Sequence, residues 1–221
     1  MKSLNKIKFG IAVGCLSAFV LWTIAVCHVD QQPIGPEGSR VGFATVNGAV
    51  HRWTGVNWAL YTLIDLLSII PLGAVLGFAL LGLCQWIRRK GLRKVDADIL
   101  LLGGFYVVVM ALFVLFEAIP INYRPVLIEG VLEASYPSST TLLVLTVMPT
   151  AGMQWKARIR NLRIRRWAVG GIAWFTLFMV VARLISGVHW CTDIVGGILL
   201  AGGLVCLYDS VCDRVTKKEH A

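Results

Sequence analysis

The sequence has no C-x-x-C pair, no low-complexity stretch and no internal repeat, and it carries little charge: 15% of its 221 residues are charged and only 12 are acidic. Each shortage excludes something. Without paired spacings, the six cysteines do not form a disulfide framework. Cys15, Cys84 and Cys206 fall inside apolar runs and Cys27, Cys191 and Cys212 near their ends, so buried free thiols are expected. Cys27, His28, His51 and Cys191 fit no zinc-ligand spacing, and neither a metal nor another cofactor is expected. The ten-residue alternation of a membrane barrel is also missing, which leaves helices.

What is present is apolar. Hydrophobic residues make up 57% of the chain, too many for a disordered segment or an ordinary soluble domain. Long apolar runs occur at about 9–28, 58–86, 97–119, 139–155, 167–186 and 190–209. A bilayer crossing needs ~20 such residues, so six crossings would use nearly the whole apolar supply. The first run is longer than a signal-peptide core and has no A-x-A site after it, so it reads as a retained span. The second is overlong and contains Pro71, which predicts a kink or an interfacial lead-in. The expected fold is an all-α membrane protein, a six-transmembrane-helix bundle forming one domain over residues 1–221. Gly10 with Gly14, and Gly197 with Ala201, have the small-residue spacing that allows close helix packing.

The net charge of +9 raises the question of partners. Lys2, Lys6 and Lys8 precede the first span; Arg88, Arg89, Lys90, Arg93 and Lys94 follow the second. Lys156, Arg158, Arg160, Arg163, Arg165 and Arg166 follow the fourth, and Arg214, Lys217 and Lys218 end the chain. Of 21 basic residues, that leaves Arg40, Arg52, Arg124 and Arg183 on the other side. The positive-inside rule then places both termini in the cytoplasm, which an even number of spans satisfies. The run KARIRNLRIRR at 156–166 has no domain to present it and no aromatic interleaving, so nucleic acid is not an expected partner. Contact with anionic headgroups is a reasonable secondary effect.

With that charge explained, the outer-side residues become informative. Arg124 follows the third span in NYRPVLIEG, Arg183 ends the fifth in ARLISGVHW, and His189 opens the sixth. Pro137-Ser138-Ser139-Thr140 starts the fourth from the same side. Two guanidinium groups can hold phosphate oxygens bidentately, and a helix N-terminus with hydroxyls and unpaired N–H groups attracts anions. His189 and Asp193 are four apart, on one helix face, so Asp193 can hold one ring nitrogen as N–H and leave the other to attack phosphorus. The set describes an anion site at the lipid–water boundary. Glu117 and Asp65 sit within or near outer span ends, where pairing with Arg124, Arg183 or a backbone donor is expected. His51 reads as a loop residue facing headgroups.

These residues resemble the integral-membrane type 2 phosphatidic acid phosphatases, whose three motifs are K-x6-R-P, P-S-G-H and S-R-x5-H-x3-D. Here they appear as Arg124-Pro125, as Pro137-Ser138, and as Ala182-Arg183 with His189 and Asp193 at the family spacing. The motif-bearing core spans about 117–193. The resemblance implies six spans and a metal-independent lipid phosphatase in which His189 becomes phosphorylated and Asp193 orients it. It further implies that Arg124, Arg183 and Ser138 hold the phosphoryl group, with Ser139 and Thr140 at the same helix start.

Three positions depart from the motifs: Glu117 replaces the Lys, Ala182 the Ser, and Thr140 the His that protonates the leaving group. A threonine hydroxyl is no general acid near neutrality. A polyprenyl diphosphate, which expels a phosphate monoester, therefore suits the site somewhat better than phosphatidic acid, unless another residue or water donates the proton. The alternatives are a catalytically weakened lipid-phosphate binder and a lipid phosphotransferase. A channel or transporter ranks below these, because the spans hold few ionisable groups.

Overall fold

The apolar runs fold as helices. The computed structural model describes residues 2–219, with side chains from 4 to 215; the side chains of Lys2, Lys217 and Lys218, part of the basic set, lie outside the described residues. Helix α1 (Lys2–His28) covers the first run, and α2 (Ala44–Thr54) is a short helix in the connection that follows. The second run becomes α3 (Trp58–Leu67) and α4 (Ile69–Arg89), and the third becomes α5 (Ala97–Ala118). Then come α6 (Ser139–Arg158), α7 (Leu162–Ile185) and α8 (Cys191–Glu219). No strand occurs among the described residues beyond isolated bridges in the connections.

Local chemistry explains several boundaries. The Asn57 side chain caps α3 by accepting from the Leu60 N–H at 2.9 Å, and Asn161 caps α7 from Arg163 and Ile164. The break in the overlong run falls at Ser68, whose hydroxyl donates to the Ile64 carbonyl at 2.9 Å. Pro71 lies just inside α4, where a missing N–H removes no helical bond.

Among the described residues, five stretches are long and apolar enough to cross a membrane: Leu4–His28, Trp58–Arg89, Ala97–Ala118, Leu162–Ile185 and Cys191–Val215. Their outward faces are apolar; Leu76, Val107, Val114 and Trp174 are all exposed. Such a surface is stable against lipid, not water. The chain is a multi-pass membrane protein. Helix α6 is as long as a span, about 30 Å, but less apolar. Its surroundings explain why: Leu142 joins the core cluster of Phe19, Val26, Leu200 and Leu204, while Val144 and Met148 join that of Ile64, Ile172 and Met179. A helix enclosed by protein need not be lipophilic all round. Thr146 and Thr150 satisfy their hydroxyls by donating to the carbonyls four residues back, at 2.7 and 2.8 Å.

Two packing expectations change. Gly10 and Gly14 face open space, so the α1 pair makes no close helix contact. Tight approach occurs on α8: a Cβ at Gly197 would meet Thr141 at 3.0 Å, and one at Gly203 would meet Leu16 at 2.7 Å. Helix α8 is flanked by α1 and α6, whereas that face of α1 looks outward. The thiols are not buried either. Cys27 and Cys84 are exposed and the others half-buried, because small apolar groups also suit a lipid-facing surface.

At one end of the bundle, polar clamps join the helices. Lys8 bridges Asp209 and Asp213 at 2.8 and 2.9 Å, Arg158 pairs with Asp98 at 2.9 Å, and Gln154 donates to Tyr208 at 2.7 Å. The motif residues gather at the other end.

Candidate active site

Three chain segments meet there: the 119–138 connection, the start of α6, and the α7–α8 turn. That turn depends on Gly187, whose φ is +68° and whose Cβ position lies 1.7 Å from the Gly55 carbonyl oxygen. It carries His189, which is buried, and brings its Nδ1 to 3.5 Å from Asp193 Oδ2. Asp193 is held from two further sides, by the Trp190 N–H at 3.0 Å and by Asn122 Nδ2 at 3.4 Å. The Asp193 carboxylate is thus held in place independently of the imidazole.

Arg124 sits on a folded-back ribbon in which Tyr123 bridges Ala134 and Ser135 N–H donates to the Asn122 carbonyl at 2.9 Å. The Trp190 indole donates to the Tyr123 carbonyl at 2.7 Å and ties this ribbon to the His189 turn. The Arg124 Nε lies 3.0 Å from Glu133, but the alignment is not that of a hydrogen bond, and Nε and Nη1 are buried without acceptors. Arg183, only 2% exposed, donates from Nη1 to Asp65 at 3.0 Å with the Tyr61 ring 5.2 Å from its Cζ; its Nε has no acceptor. Buried guanidinium N–H groups without acceptors are costly unless an anion visits them.

Both arginines are close enough to act on His189. Burial first, then the positive fields of Arg183 and Arg124, hold its pKa well below the ordinary imidazole range. The ring is therefore neutral at physiological pH.

The helix start is built as its residue types suggest. Ser138 is fully buried, and its Oγ accepts from the Thr141 N–H at 3.4 Å, while its own N–H donates to the Asp193 carbonyl. Residues 117–214, from the end of α5 through most of α8, match the family model of the PAP2 superfamily. That segment, which carries every motif residue, is similar to the PAP2 superfamily. A similar solved structure is the PAP2-type phosphatidylglycerolphosphate phosphatase of Bacillus subtilis, with a TM-score of 0.61. Identity is 16%, over 92% of this chain and 96% of that one, a likeness of fold. No curated protein matches the chain.

The PAP2 motif positions accordingly converge: Arg124, Ser138, Arg183, His189 and Asp193 share the site. Ser139 and Thr140 stand at its edge and line a cavity between α4, α5 and α6. The departures occupy distinct places. Asp65 makes the expected pair with Arg183, but Glu117 makes no ion pair: it is exposed, and Arg124 takes Glu133 instead. His51 is not a loop residue: it lies on α2 with its ring 5.5 Å from that of Trp190.

Two buried asparagines escaped sequence reasoning. Asn122 donates to Asp193 and accepts from the Gly42 N–H at 3.4 Å. Asn47 donates to the Thr192 hydroxyl at 2.9 Å and accepts from the Thr192 N–H at 3.2 Å, capping the start of α8 from α2. A signal existed for Asn122, two residues before the motif Arg124. For Asn47 there was none, because its partner is 145 residues away.

Proposed function

We propose that this protein is a PAP2-type lipid phosphatase that hydrolyses a phosphate or diphosphate lipid at the extracytoplasmic face of the cell membrane, without a metal. The observation that carries the reading is a buried, neutral His189 beside Asp193, under the fields of two arginines with unsatisfied N–H groups. In the reaction, Arg124 and Arg183 hold the phosphoryl oxygens and a helix start with the Ser138 cap adds N–H groups. Asp193 keeps the Nδ1 proton, and Nε2 attacks phosphorus. The N–P bond forms as the P–O bond to the lipid breaks, and water then attacks phosphorus, releasing phosphate and restoring His189.

The proposed topology counts α6 as a sixth span and leaves both termini cytoplasmic. It rests on the basic residues from Lys156 to Arg166, which run from the last turn of α6 into the start of α7, about 30 Å from the site along α6. Because Thr140 supplies no acid, a lipid diphosphate with its better leaving group is modestly favoured. The solved relative's name adds phosphatidylglycerolphosphate, a monoester, to the panel worth testing.

The test is phosphate release from that panel by purified protein and by His189→Ala, with trapping of radiolabelled phosphate on His189. Loss of release and of label in the variant is expected; equal release by both proteins would remove the nucleophile. Phosphate transferred to a lipid hydroxyl in place of water would identify a phosphotransferase, and binding without turnover a lipid-phosphate binder.

A further inference from the structure

One carboxylate in the site belongs to none of the three motifs. Asp65, on α3, accepts from Arg183 at 3.0 Å, yet the two partners differ sharply in access: the Arg183 side chain is 2% exposed and that of Asp65 is 44% exposed. A partner needed only to neutralise Arg183 would be sealed with it. Asp65 instead opens, beside Ser139 and Thr140, into a cavity of about 440 Å³. The rest of that wall is largely apolar, with Leu72, Val75, Phe113 and Leu143, and suits the hydrocarbon end of a lipid. Thr140 stands where the PAP2 motif has the histidine that protonates the leaving group. The carboxylate and the position of the missing acid therefore face the same space.

The other acids and imidazoles do not share it. His51 lines a separate cavity with Trp190, Ala44 and Gly48. Glu117 borders, with Ser139, a cleft of about 10 Å³ that holds no leaving group.

We propose that Asp65 donates the proton that Thr140 cannot, to the leaving alcohol of phosphate-monoester lipids. The proposal rests on the phosphatase reading above. An arriving phosphate takes the Arg183 Nη1 donor from Asp65. Asp65, released from that bond and open to the cavity, enters the step as the acid, its proton drawn from solvent. As His189 Nε2 bonds to phosphorus and the P–O bond breaks, the Asp65 proton passes to the departing alkoxide oxygen and the lipid leaves as a neutral alcohol. Asp65, again a carboxylate, then takes a proton from the water that attacks the phosphohistidine. A diphosphate lipid expels a phosphate monoester that needs no such proton, so its hydrolysis bypasses Asp65.

The experiment compares phosphatidic acid with a polyprenyl diphosphate as substrates for the full chain, Asp65→Asn and Asp65→Glu. Asp65→Asn is expected to lower kcat on phosphatidic acid on the order of 10²–10⁴-fold and on the diphosphate by less than about tenfold. Asp65→Glu restores most of the phosphatidic acid activity. An equal loss on both substrates would show that Asp65 only positions Arg183 and would overturn the proposal, as would an undiminished rate on phosphatidic acid. A wild-type chain that releases phosphate from neither substrate overturns the phosphatase reading itself, before the variants are compared.

Discussion

The backbone N–H of Ser138 donates to the carbonyl oxygen of Asp193 at 3.1 Å. This one bond fastens the start of α6 to the first turn of α8, and so sets the helix end proposed to bind phosphate against Asp193, the carboxylate beside His189. With the Trp190 indole bound to the Tyr123 carbonyl, all three motif segments are hydrogen-bonded together. Substitutions within them are expected to separate chemistry from folding.

Asp193→Asn tests the orienting carboxylate. The amide oxygen can still accept from the Trp190 N–H, so the turn survives, but the negative charge behind the imidazole is gone. Steady-state kinetics should show kcat reduced on the order of 10²–10⁴-fold with KM little changed. A variant with wild-type kcat would rule out the role.

Arg124→Ala removes a phosphate donor and leaves Glu133, which is 37% exposed, free to be solvated. Charged hydrogen bonds of this kind correspond to a fall on the order of 10–100-fold in kcat/KM. The same change in melting temperature and activity for Arg124→Ala and an Arg40→Ala control would argue against any special role.

Stability should depend on His189 in a definite direction. Its imidazole binds a proton near pH ~6.5 when unfolded and only at lower pH when folded, because burial and the two arginines disfavour the cation. The contribution is complete above the unfolded value and is lost as pH falls through the window between the two. Melting in detergent should therefore weaken from pH 7 toward pH 5, and less steeply for His189→Gln. An unchanged slope in that variant contradicts the assignment.

Gly187→Ala should fail to yield folded protein. A φ of +68° costs about 1–2 kcal/mol for alanine, and its Cβ would overlap the Gly55 backbone, which has no flexible end to move aside. Gly170→Ala, in open space on α7, is the control and should be tolerated. Size-exclusion profiles of the two variants make the comparison.

Sequence alone determined the helix-forming segments and the residues of the motif. An apolar run must satisfy its own backbone hydrogen bonds in lipid, so the runs at 97–119 and 139–155 lie almost on α5 and α6. The spacing from Arg183 to His189 and Asp193 is local and could be read directly. Tertiary structure alone decided what depends on distant partners: that Asn47 caps α8, that Asn122 holds Asp193, and that Arg124 pairs with Glu133 and not Glu117. It also decided that α6, the least apolar span-length segment, is the one enclosed by the others, and that Asp65 opens beside Thr140. Periodicity reports which face of a helix avoids water. It carries no information about which helix supplies the neighbouring charge, and that neighbour fixes the chemistry.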